Sequence, residues 1–356
     1  TTFEMRFIAL RCKDTIAPTG TIAQGVGARQ VNAHGDIYET KYGLTTSQRV
    51  YGTVMENREG NGPCYLRTEG ISKEQEQDLY KAYLNMAPSQ TLKWMEAGKG
   101  PSEENVEIEG TEPYIVGGHT ASGYWVDNNR ATTIEGLYAA GDVAGGCPQK
   151  YVTGALAEGE IAAEAILEYL KGKDDDRIAA ENKEEEALER GGEQELSQTA
   201  TAKKAEYESH LNASRSLMNA EQLEEAMQKI MDQYAGGIGT DYRYSGMSLA
   251  KADEKIAALL PVVDTLAATD TYELMQIYEL RERLIVCQAV IAHLAARKET
   301  RWHSFGENTD YPQQSEEWMK YVNSRMENGE IKILYRDLIT KENTGLNTAE
   351  KGAGKR

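Results

Sequence analysis

The sequence predicts an α+β fold, in which a mixed region, an α/β segment and a bundle of helices follow one another along the chain. Three observations lead to this prediction. Residues 6–12 are a short apolar stretch of strand type, and residues 133–142 are another, which ends in a glycine-rich turn. Residues 207–298 repeat apolar side chains at spacings of three and four, as amphipathic helices do. A chain of 356 residues has room for two or three such units.

The region before residue 113 combines strand-like and helical patterns. After the strand at 6–12, helical spacing is found over residues 73–85 and 89–97. A polar loop rich in glycine and glutamate fills residues 98–111. The pattern predicts a mixed, irregular unit with two helices.

The most informative segment is residues 133–142, Thr-Ile-Glu-Gly-Leu-Tyr-Ala-Ala-Gly-Asp. It predicts a short buried strand and then a turn that carries the carboxylate of Asp142. Small side chains before that carboxylate let a large planar or phosphorylated ligand approach the backbone closely. An amphipathic helix is predicted over residues 155–170, and its start offers free N–H groups and a partial positive charge to such a ligand. The predicted cofactor-binding residues are Gly141, Asp142, Gly154, Ala155 and Leu156.

The rest of the chain divides by charge and periodicity. Residues 171–206 are dominated by Lys, Asp and Glu, which predicts a solvated linker or an exposed helix. A helix near residues 316–326 and a strand at residues 331–335 are predicted near the end, before a frayed tail. Three helices are predicted between the charged segment and this last helix, near residues 219–234, 249–268 (interrupted at Pro261) and 273–298.

The composition bounds the class of partner and the compartment. The chain has 57 Asp and Glu against 39 Lys and Arg, a formal net charge of −18, whereas nucleic-acid binding needs a basic patch. We therefore expect no nucleic-acid partner. No stretch approaches the roughly 20 apolar residues that span a bilayer, and no signal peptide is visible. The sequence thus predicts no membrane span and a cytoplasmic location.

The cysteines do not form a metal-binding pattern. The chain has four of them, without a C-x-x-C pair. Scattered cysteines of this kind are typical of reduced thiols rather than of a disulfide framework or an iron–sulfur site. The sequence therefore predicts no metal site.

Two residues are candidates for catalysis. His119 follows two glycines, so an imidazole there has room to face an open pocket as a cation or proton donor beside a substrate oxyanion. The alternative is a loop histidine that is bonded to the backbone. Arg11 lies within an apolar strand, where a guanidinium must reach the surface or find an anion. That anion is either a ligand or the carboxylate of Asp14 or Glu4.

Two further residues are candidates for substrate binding. Arg301 follows the end of the long predicted helix, where a cation is already favourable by about 0.3–1 kcal/mol because of the helix dipole. Alternatively, the guanidinium of Arg301 contacts a substrate phosphate or the edge of a flavin. Trp125 is adjacent to Tyr124 on a predicted strand, so one of the two rings points inward. That ring either packs in the core or stacks on a ligand ring.

Taken together and in this order, the motifs resemble a known group of proteins. They are Arg11-Cys12-Lys13-Asp14 with Pro18-x-Gly20, Glu112-Pro113-Tyr114-Ile115-x-Gly117-x-His119 leading to Tyr124-Trp125-Val126, Gly136 to Asp142, Gly154 to Gly159, and Lys298-Glu299-Thr300-Arg301 before Asp310-Tyr311-Pro312. This order resembles the fumarate reductase/succinate dehydrogenase flavoprotein group, and within it the adenylylsulfate reductase alpha-subunit family. The resemblance covers most of residues 1–335.

The resemblance implies a division into domains. A capping domain would span residues 1–112, and residues 113–170 would be the C-terminal segment of an FAD-binding domain. A charged linker (171–206), a helical C-terminal domain (207–335) and a tail (336–356) would follow. The sequence begins without Met and contains no G-x-G-x-x-G fingerprint after a strand, although FAD domains normally open with one. We therefore expect the N-terminal FAD half to be missing from this chain.

The resemblance also implies an activity. Adenylylsulfate would be cleaved reversibly to sulfite and AMP through a flavin N5–sulfite adduct, with Arg11 and His119 neutralising the sulfite oxygens. Asp142 would bond a cofactor hydroxyl, and the helix start at residues 154–156 would stabilise negative charge on reduced flavin. Arg301 and Trp125 would contact the small anionic substrate. Electrons would come from a separate iron–sulfur beta subunit.

Two alternatives remain open at the level of sequence. A fumarate-reductase-like flavoprotein acting on an enoate or dicarboxylate would use His119 and Arg11 nearly as well. A non-catalytic fragment or docking subunit would use the helical half as a surface. Flavin colour distinguishes the last alternative from the enzymes, and the response of the flavin to sulfite or fumarate distinguishes the two enzymes.

Overall fold

The α+β fold class is confirmed, since helices and small, mostly antiparallel sheets make up the chain. The structure is a computed structural model that describes residues 10–15, 17, 19, 26–111, 122–145, 152–171, 197–214, 218–301 and 306–338. Most of the predicted linker (172–196), nearly all of the predicted tail (339–356) and the start of the predicted first strand lie outside these residues.

A four-stranded antiparallel sheet organises the first part of the chain, with strand order β1–β4–β3–β2. Its strands are β1 (Leu10–Cys12), β2 (Arg29–Val31), β3 (Cys64–Arg67) and β4 (Val106–Gly110). In the β1–β4 pair Arg11 lies opposite Glu109, and Cys12 lies opposite Ile108. The predicted catalytic arginine therefore lies in an edge strand of the sheet, next to a buried cysteine.

Within the described residues, four helices accompany this sheet: α1 (Glu39–Tyr42), α2 (Thr46–Arg58), α3 (Lys73–Met86) and α4 (Pro88–Ala97). The predicted helices at 73–85 and 89–97 are confirmed. Ser72 caps α3 in a capping box with Gln75, and proline occupies the first position of α4, where its missing N–H costs nothing. Buried side chains of α3 and α4 pack on the sheet in one hydrophobic core, which includes Leu66, Leu79, Tyr83, Trp94 and Ile108.

The three helices predicted in the second half are present as α7 (Ala220–Tyr234), α8 (Gly246–Val263) and α9 (Thr271–Ala296). They follow α5 (Val152–Lys171) and α6 (residues 197–211), so the last ten residues of the predicted linker are helical. Each of α7, α8 and α9 begins after a side chain that caps its first N–H groups, from Asn219, Ser245 and Asp270. The predicted interruption at Pro261 is wrong, because the proline lies in the last turn of α8, where the helix ends anyway. Apolar faces of the three helices form the second core.

The predicted helix near residues 316–326 is wrong. A short 3₁₀ turn (Glu316–Trp318) is followed by strand β7 (Lys320–Glu327), which pairs antiparallel with β8 (Glu330–Asp337). The predicted strand at 331–335 is confirmed within β8. Asn328 and Gly329 form the tip of this hairpin, both with positive φ, of 51° and 80°. A two-residue Asn-Gly turn with two positive φ angles favours a hairpin strongly, and it overrides the helical spacing that precedes it.

Tyr242 joins the first part of the chain to the helical half in a small apolar cluster of its own. Its ring packs with Val50 and Val54 of α2, and its hydroxyl donates to the carbonyl oxygen of Thr111 at 2.9 Å. The guanidinium of Arg58, at the end of α2, pairs with Glu307 at 3.1 Å, and Glu307 lies in the short strand β6 (Glu307–Asn308), which pairs with β5 (Arg243–Tyr244). The first sheet and the helical bundle therefore share a packed and charged interface.

None of the described helices is both long enough and apolar enough to cross a membrane. Three cysteines are free thiols, namely Cys12 and Cys64, which are buried, and Cys287. Burial raises the pKa of the Cys12 and Cys64 thiols to about 11, so both are protonated and unreactive near neutral pH. Cys147 lies outside the described residues.

Candidate cofactor site

The site is organised around a turn in which two backbone segments nearly touch. The N–H of Tyr124 donates to the carbonyl oxygen of Val143 at 2.7 Å, and the N–H of Gly145 donates to that of Tyr124 at 2.8 Å. A Cβ at Gly123 would lie 2.5 Å from the Val143 oxygen, and the φ of Gly123 is +156°. Glycine is therefore required where the two segments meet. The strand predicted to carry Tyr124 and Trp125 is reduced to isolated bridges, such as the one between Tyr124 and Ala144.

The turn continues directly into contact with α5. Gly141 has a φ of +69°, and a Cβ built on it would lie 3.1 Å from the Cβ of Ala155. The Gly141 N–H donates to Oε2 of Glu158 at 3.0 Å. Asp142 follows in the 3₁₀ turn Gly141–Val143 and is exposed. The structure thus brings together the two sequence-predicted parts of the site, the turn and the helix start.

The buried strand predicted before this turn is wrong. The chain reverses direction around Gly136, whose φ is +77°. The N–H of Leu137 donates to Ile134 O at 3.1 Å, and that of Thr132 donates to Leu137 O at 2.9 Å. Only one bridge, between Ala131 and Tyr138, remains of a strand pairing. Ile134 and Leu137 are 63% and 50% exposed, so the apolar residues that suggested a buried strand lie on the surface of this chain.

The first turn of α5 presents an open face. Gly154 and Ala155 are half-buried, whereas Val152 and Leu156 are 75% and 70% exposed. Val143, on the turn beside them, is 51% exposed. The helix start therefore combines backbone N–H groups that have no partner within the helix with an uncovered apolar surface.

Two functional candidates were missed by sequence reasoning. Glu158 is buried on the inner face of α5, and its Oε1 lies 3.4 Å from Nη2 of Arg130. Arg130 has a φ of +66°, and its Nη1 donates to the carbonyl oxygen of Asp127 at 3.2 Å. A signal for Glu158 was present in the sequence, since it stands three residues after Ala155 and four before Ala162, on one face of the helix. A carboxylate on a face of small residues needs a buried partner.

Trp125 lies beside the turn and contacts the end of the chain. The guanidinium of Arg336, in β8, lies over its indole ring at 4.1 Å from the centroid. The indole Nε1 is buried and has no hydrogen-bond partner in the part of the chain that the structure describes. One face of the predicted substrate-binding ring is therefore occupied by a cation of the protein itself.

The other predicted site residues lie on different elements. Arg11 is half-buried in β1, and His119 falls within residues 112–121, outside the described residues. Arg301 donates from Nε and Nη2 to the two carboxylate oxygens of Glu299, at 2.9 and 2.8 Å. Its Nη2 also donates to the carbonyl oxygen of Ser315 at 2.9 Å. A substrate contact by Arg301 would therefore have to use Nη1 or coexist with this ion pair.

Glu299 is the centre of that ion-pair network. Its side chain is 0% exposed, and it also pairs with Arg297 at 2.7 Å. Burial alone would raise the pKa of this carboxyl, but hydrogen bonds from Arg301, the Ser315 N–H and Arg297 together lower it below its ordinary value. Glu299 is therefore an ionised carboxylate held by two guanidinium groups.

The turn and the helix start have the chemistry of a site for a large cofactor. The exposed carboxylate of Asp142 can accept hydrogen bonds from hydroxyl groups, and the N–H groups at the start of α5 can donate to an electron-rich edge. The exposed side chains of Val143, Val152 and Leu156 supply apolar contact. The donor, acceptor and apolar groups fit FAD, which has a polyhydroxyl chain, an electron-rich ring edge and a large apolar ring system.

Comparison with known proteins places the C-terminal part of this architecture in a class. The family model "Fumarate reductase flavoprotein C-term" matches residues 224–350, which include most of α7, all of α8 and α9, and the C-terminal hairpin. This part of the chain is thus similar to the C-terminal part of fumarate reductase flavoproteins.

Within that class, the chain is a homologue of the adenylylsulfate reductase alpha subunit. It is 28% identical to the Megalodesulfovibrio gigas alpha subunit over 385 residues, covering 91% of this chain and 56% of that protein. The structure of adenylylsulfate reductase from Archaeoglobus fulgidus matches with a TM-score of 0.77 and 29% identity, over 94% of this chain and 59% of that one. A structure described as adenosine-5-phosphosulfate reductase in complex with sulfite (covalent adduct) matches with the same values. This chain therefore spans a little over half the length of these relatives.

Proposed function

We propose that this chain is part of an FAD-dependent oxidoreductase that cleaves adenylylsulfate reductively to sulfite and AMP. The observation that carries the proposal is the turn at Gly141 and Asp142, held against the start of α5 in a chain homologous to an adenylylsulfate reductase subunit. FAD would supply the reducing electrons. The domain division proposed from the sequence assigns the turn to the C-terminal segment of the FAD domain and the first sheet to a capping domain.

The turn and α5 would bind the cofactor. Asp142 would accept a hydrogen bond from a cofactor hydroxyl, and the N–H groups near Gly154, Ala155 and Leu156 would face an electron-rich edge of the ring. Positive potential at this helix start stabilises negative charge that develops on the cofactor during reduction. The exposed side chain of Leu156 would pack on the ring.

Arg11 and His119 would neutralise the oxygens of the substrate. Arg11 stands in a strand next to the first hydrophobic core, so a guanidinium there is held in place by the sheet and partly shielded from water. A fixed charge in such surroundings stabilises an anion more strongly than one in bulk water. A histidine at position 119 would donate a proton or a hydrogen bond to the same group.

Trp125 and Arg301 would border the anion site. Arg336 covers one face of Trp125, so a ligand would have to contact another part of this half-buried ring. Arg301 is fixed by Glu299 and Ser315, so it would act as an oriented cation rather than a mobile one. Electrons would reach the flavin from an iron–sulfur beta subunit, and the relative's description as a "subunit alpha" supports a partner subunit.

The proposal is tested by visible spectroscopy of the complete polypeptide that carries this chain. We expect a flavin spectrum that loses absorbance when sulfite and AMP are added. Arg11→Ala and His119→Ala should raise the sulfite concentration needed for half of this absorbance loss at least about tenfold, because each removes a charge from the anion site. Arg67→Ala, at an exposed arginine of the same sheet, is the control and should behave like the wild type. A protein without flavin would contradict the proposal.

A second candidate is reduction of an enoate or dicarboxylate. It is favoured by the match of residues 224–350 to the fumarate reductase flavoprotein family. In that case the reduced flavin should be reoxidised by fumarate, and the flavin spectrum should not respond to sulfite. The two reactions use the same cationic residues, so the response to the two substrates decides between them.

A further inference from the structure

Glu158 contacts the candidate cofactor-binding turn from the interior of the protein and not from its exposed side. Its side chain is 5% exposed and projects from the same face of α5 as Ala155 and Ala162. Its Oε2 accepts the N–H of Gly141 at 3.0 Å. The carboxylate therefore holds the backbone of the residue that precedes Asp142, from within the protein.

Arg130 compensates this buried charge and extends the connection to a second segment. Its Nη2 lies 3.4 Å from Glu158 Oε1, and its side chain is 20% exposed. Its Nη1 donates to Asp127 O at 3.2 Å, and its carbonyl oxygen accepts the N–H of Ala139 at 2.9 Å. One arginine thus links the loop at 127–131, the residues that enter the turn, and α5.

Loss of Glu158 would leave the guanidinium of Arg130 without its charged partner. Arg130 Nε is buried and has no hydrogen-bond partner among the described residues, so the guanidinium relies on Glu158 and on two loop carbonyl groups. A buried charge that loses its partner is strongly unfavourable. The pair is therefore a constraint on both the geometry and the electrostatic potential of the turn.

We infer that Glu158, compensated by Arg130, is a positioning residue for the flavin. It fixes the Gly141–Asp142 turn against the start of α5. It also balances the positive charge of Arg130 beside the bound ring. This inference rests on the proposed flavin site. Glu158 acts on the backbone of the turn, whereas Asp142 and the helix N–H groups would contact the cofactor itself.

The two roles of Glu158 can be separated by substitution. Glu158→Gln retains an oxygen that accepts the Gly141 N–H but removes the negative charge, so Arg130 is left uncompensated. Added positive charge favours the more negative, reduced flavin, and the midpoint potential should become more positive. Glu158→Ala removes the acceptor as well, so the turn is released and FAD binding should weaken about tenfold or more, as expected for the loss of a charge-assisted hydrogen bond.

The experiment uses the complete polypeptide that carries this chain. FAD dissociation constants are measured by titrating the deflavinated protein, and midpoint potentials by equilibration with redox dyes. Glu160→Gln and Glu160→Ala are matched controls, since Glu160 is an exposed carboxylate two residues further along α5. We expect both controls to match the wild type, Glu158→Gln to shift the potential upward with nearly unchanged FAD affinity, and Glu158→Ala to lose affinity.

Three results have distinct meanings. The inference is overturned if Glu158→Gln leaves the potential of the bound flavin unchanged and Glu158→Ala binds FAD as well as Glu160→Ala does. If Glu158→Ala does not fold, Arg130→Gln decides, because removing the positive charge should shift the potential downward, opposite to Glu158→Gln, and a shift in the same direction overturns the inference. If the wild type itself neither contains nor binds FAD, the proposed function fails, and the inference with it.

Discussion

The guanidinium of Arg336 lies over the indole ring of Trp125, with its Cζ 4.1 Å from the ring centroid. The same guanidinium lies 5.0 Å from the ring of Tyr321, and its Nε donates to Asn323 Oδ1 at 2.8 Å. Burial lowers the pKa of Arg336 from its ordinary value, as expected for a charge that two aromatic rings shield from water. The C-terminal hairpin therefore supports the segment that carries the candidate cofactor site.

Replacing Arg336 should weaken this support. Arg336→Ala removes a stacked guanidinium and one hydrogen bond, so we expect the free energy of unfolding to fall by about 1–3 kcal/mol. Urea denaturation followed by tryptophan fluorescence measures the loss. Arg325→Ala is the control on the same hairpin, since Arg325 is 54% exposed and pairs only at the surface with Glu327, and it should cost less than about 1 kcal/mol. Equal losses for the two variants would contradict a supporting role for the stack.

The network around Glu299 should be among the most sensitive sites in the chain. Glu299→Ala leaves the guanidinium groups of Arg297 and Arg301 without their shared carboxylate, and breaking a buried ion pair in this way costs about 3–5 kcal/mol. Glu299→Gln keeps part of the hydrogen bonding and should lose less. Glu316→Ala, at an exposed carboxylate in the 3₁₀ turn, is the control. Thermal unfolding of the three variants ranks them, and a loss at Glu299 no larger than at Glu316 would refute the network's role.

The accuracy of sequence-based prediction differed between the elements for physical reasons. Helices α7 and α9 were predictable because apolar periodicity and a capping side chain agree at each start, at Asn219 and Asp270. The strand predicted before Gly141 was wrong because Gly136 reverses the chain there, and apolar side chains alone do not distinguish a buried strand from an uncovered loop. The hairpin of β7 and β8 was missed because the Asn328-Gly329 signal was outweighed by a helical spacing upstream.

Within the candidate site, local contacts could be anticipated and distant pairs could not. The approach of Gly141 to α5 follows from a small side chain at each contacting position, which the sequence shows directly. The pairing of Glu158 with Arg130 and the stacking of Arg336 on Trp125 depend on how separate elements are placed in three dimensions. A charged residue can find several partners in one sequence, and only tertiary packing selects among them.

Stability should depend on pH through His293. This residue is buried in α9, and burial, with the nearby charge of Arg297, lowers the pKa of its imidazole to about 4. The unfolded chain binds a proton at His293 below an ordinary pKa of about 6.5, whereas the folded protein does not until about pH 4. Protonation therefore favours unfolding as the pH falls through this window, by up to about 3 kcal/mol. Urea midpoints measured between pH 7 and pH 4 should show the decline.

A pair of variants isolates this contribution. His293→Phe removes the titrating group from a buried site and should flatten the pH dependence of the free energy of unfolding over the same window, whatever its effect at neutral pH. His34→Gln, at an exposed histidine in the loop after β2, should leave the slope as it is in the wild type. An unchanged slope in His293→Phe would show that other groups dominate the acid response.

The contact between the turn and α5 can be tested with two glycines that share a backbone conformation. Gly141 and Gly136 have φ angles of +69° and +77°, but a Cβ at Gly141 would lie 3.1 Å from Ala155 Cβ, whereas nothing lies within 4 Å of one at Gly136. Both alanine variants carry the backbone cost of a left-handed residue, about 1–2 kcal/mol. Gly141→Ala should in addition displace the turn from α5 and weaken FAD binding, measured by flavin titration of the complete polypeptide that carries this chain, while Gly136→Ala should not. Adding Ala155→Gly to Gly141→Ala restores the space, so the double variant should regain FAD affinity relative to Gly141→Ala alone. If it does not, the effect of Gly141→Ala comes from the backbone and not from the contact with the helix.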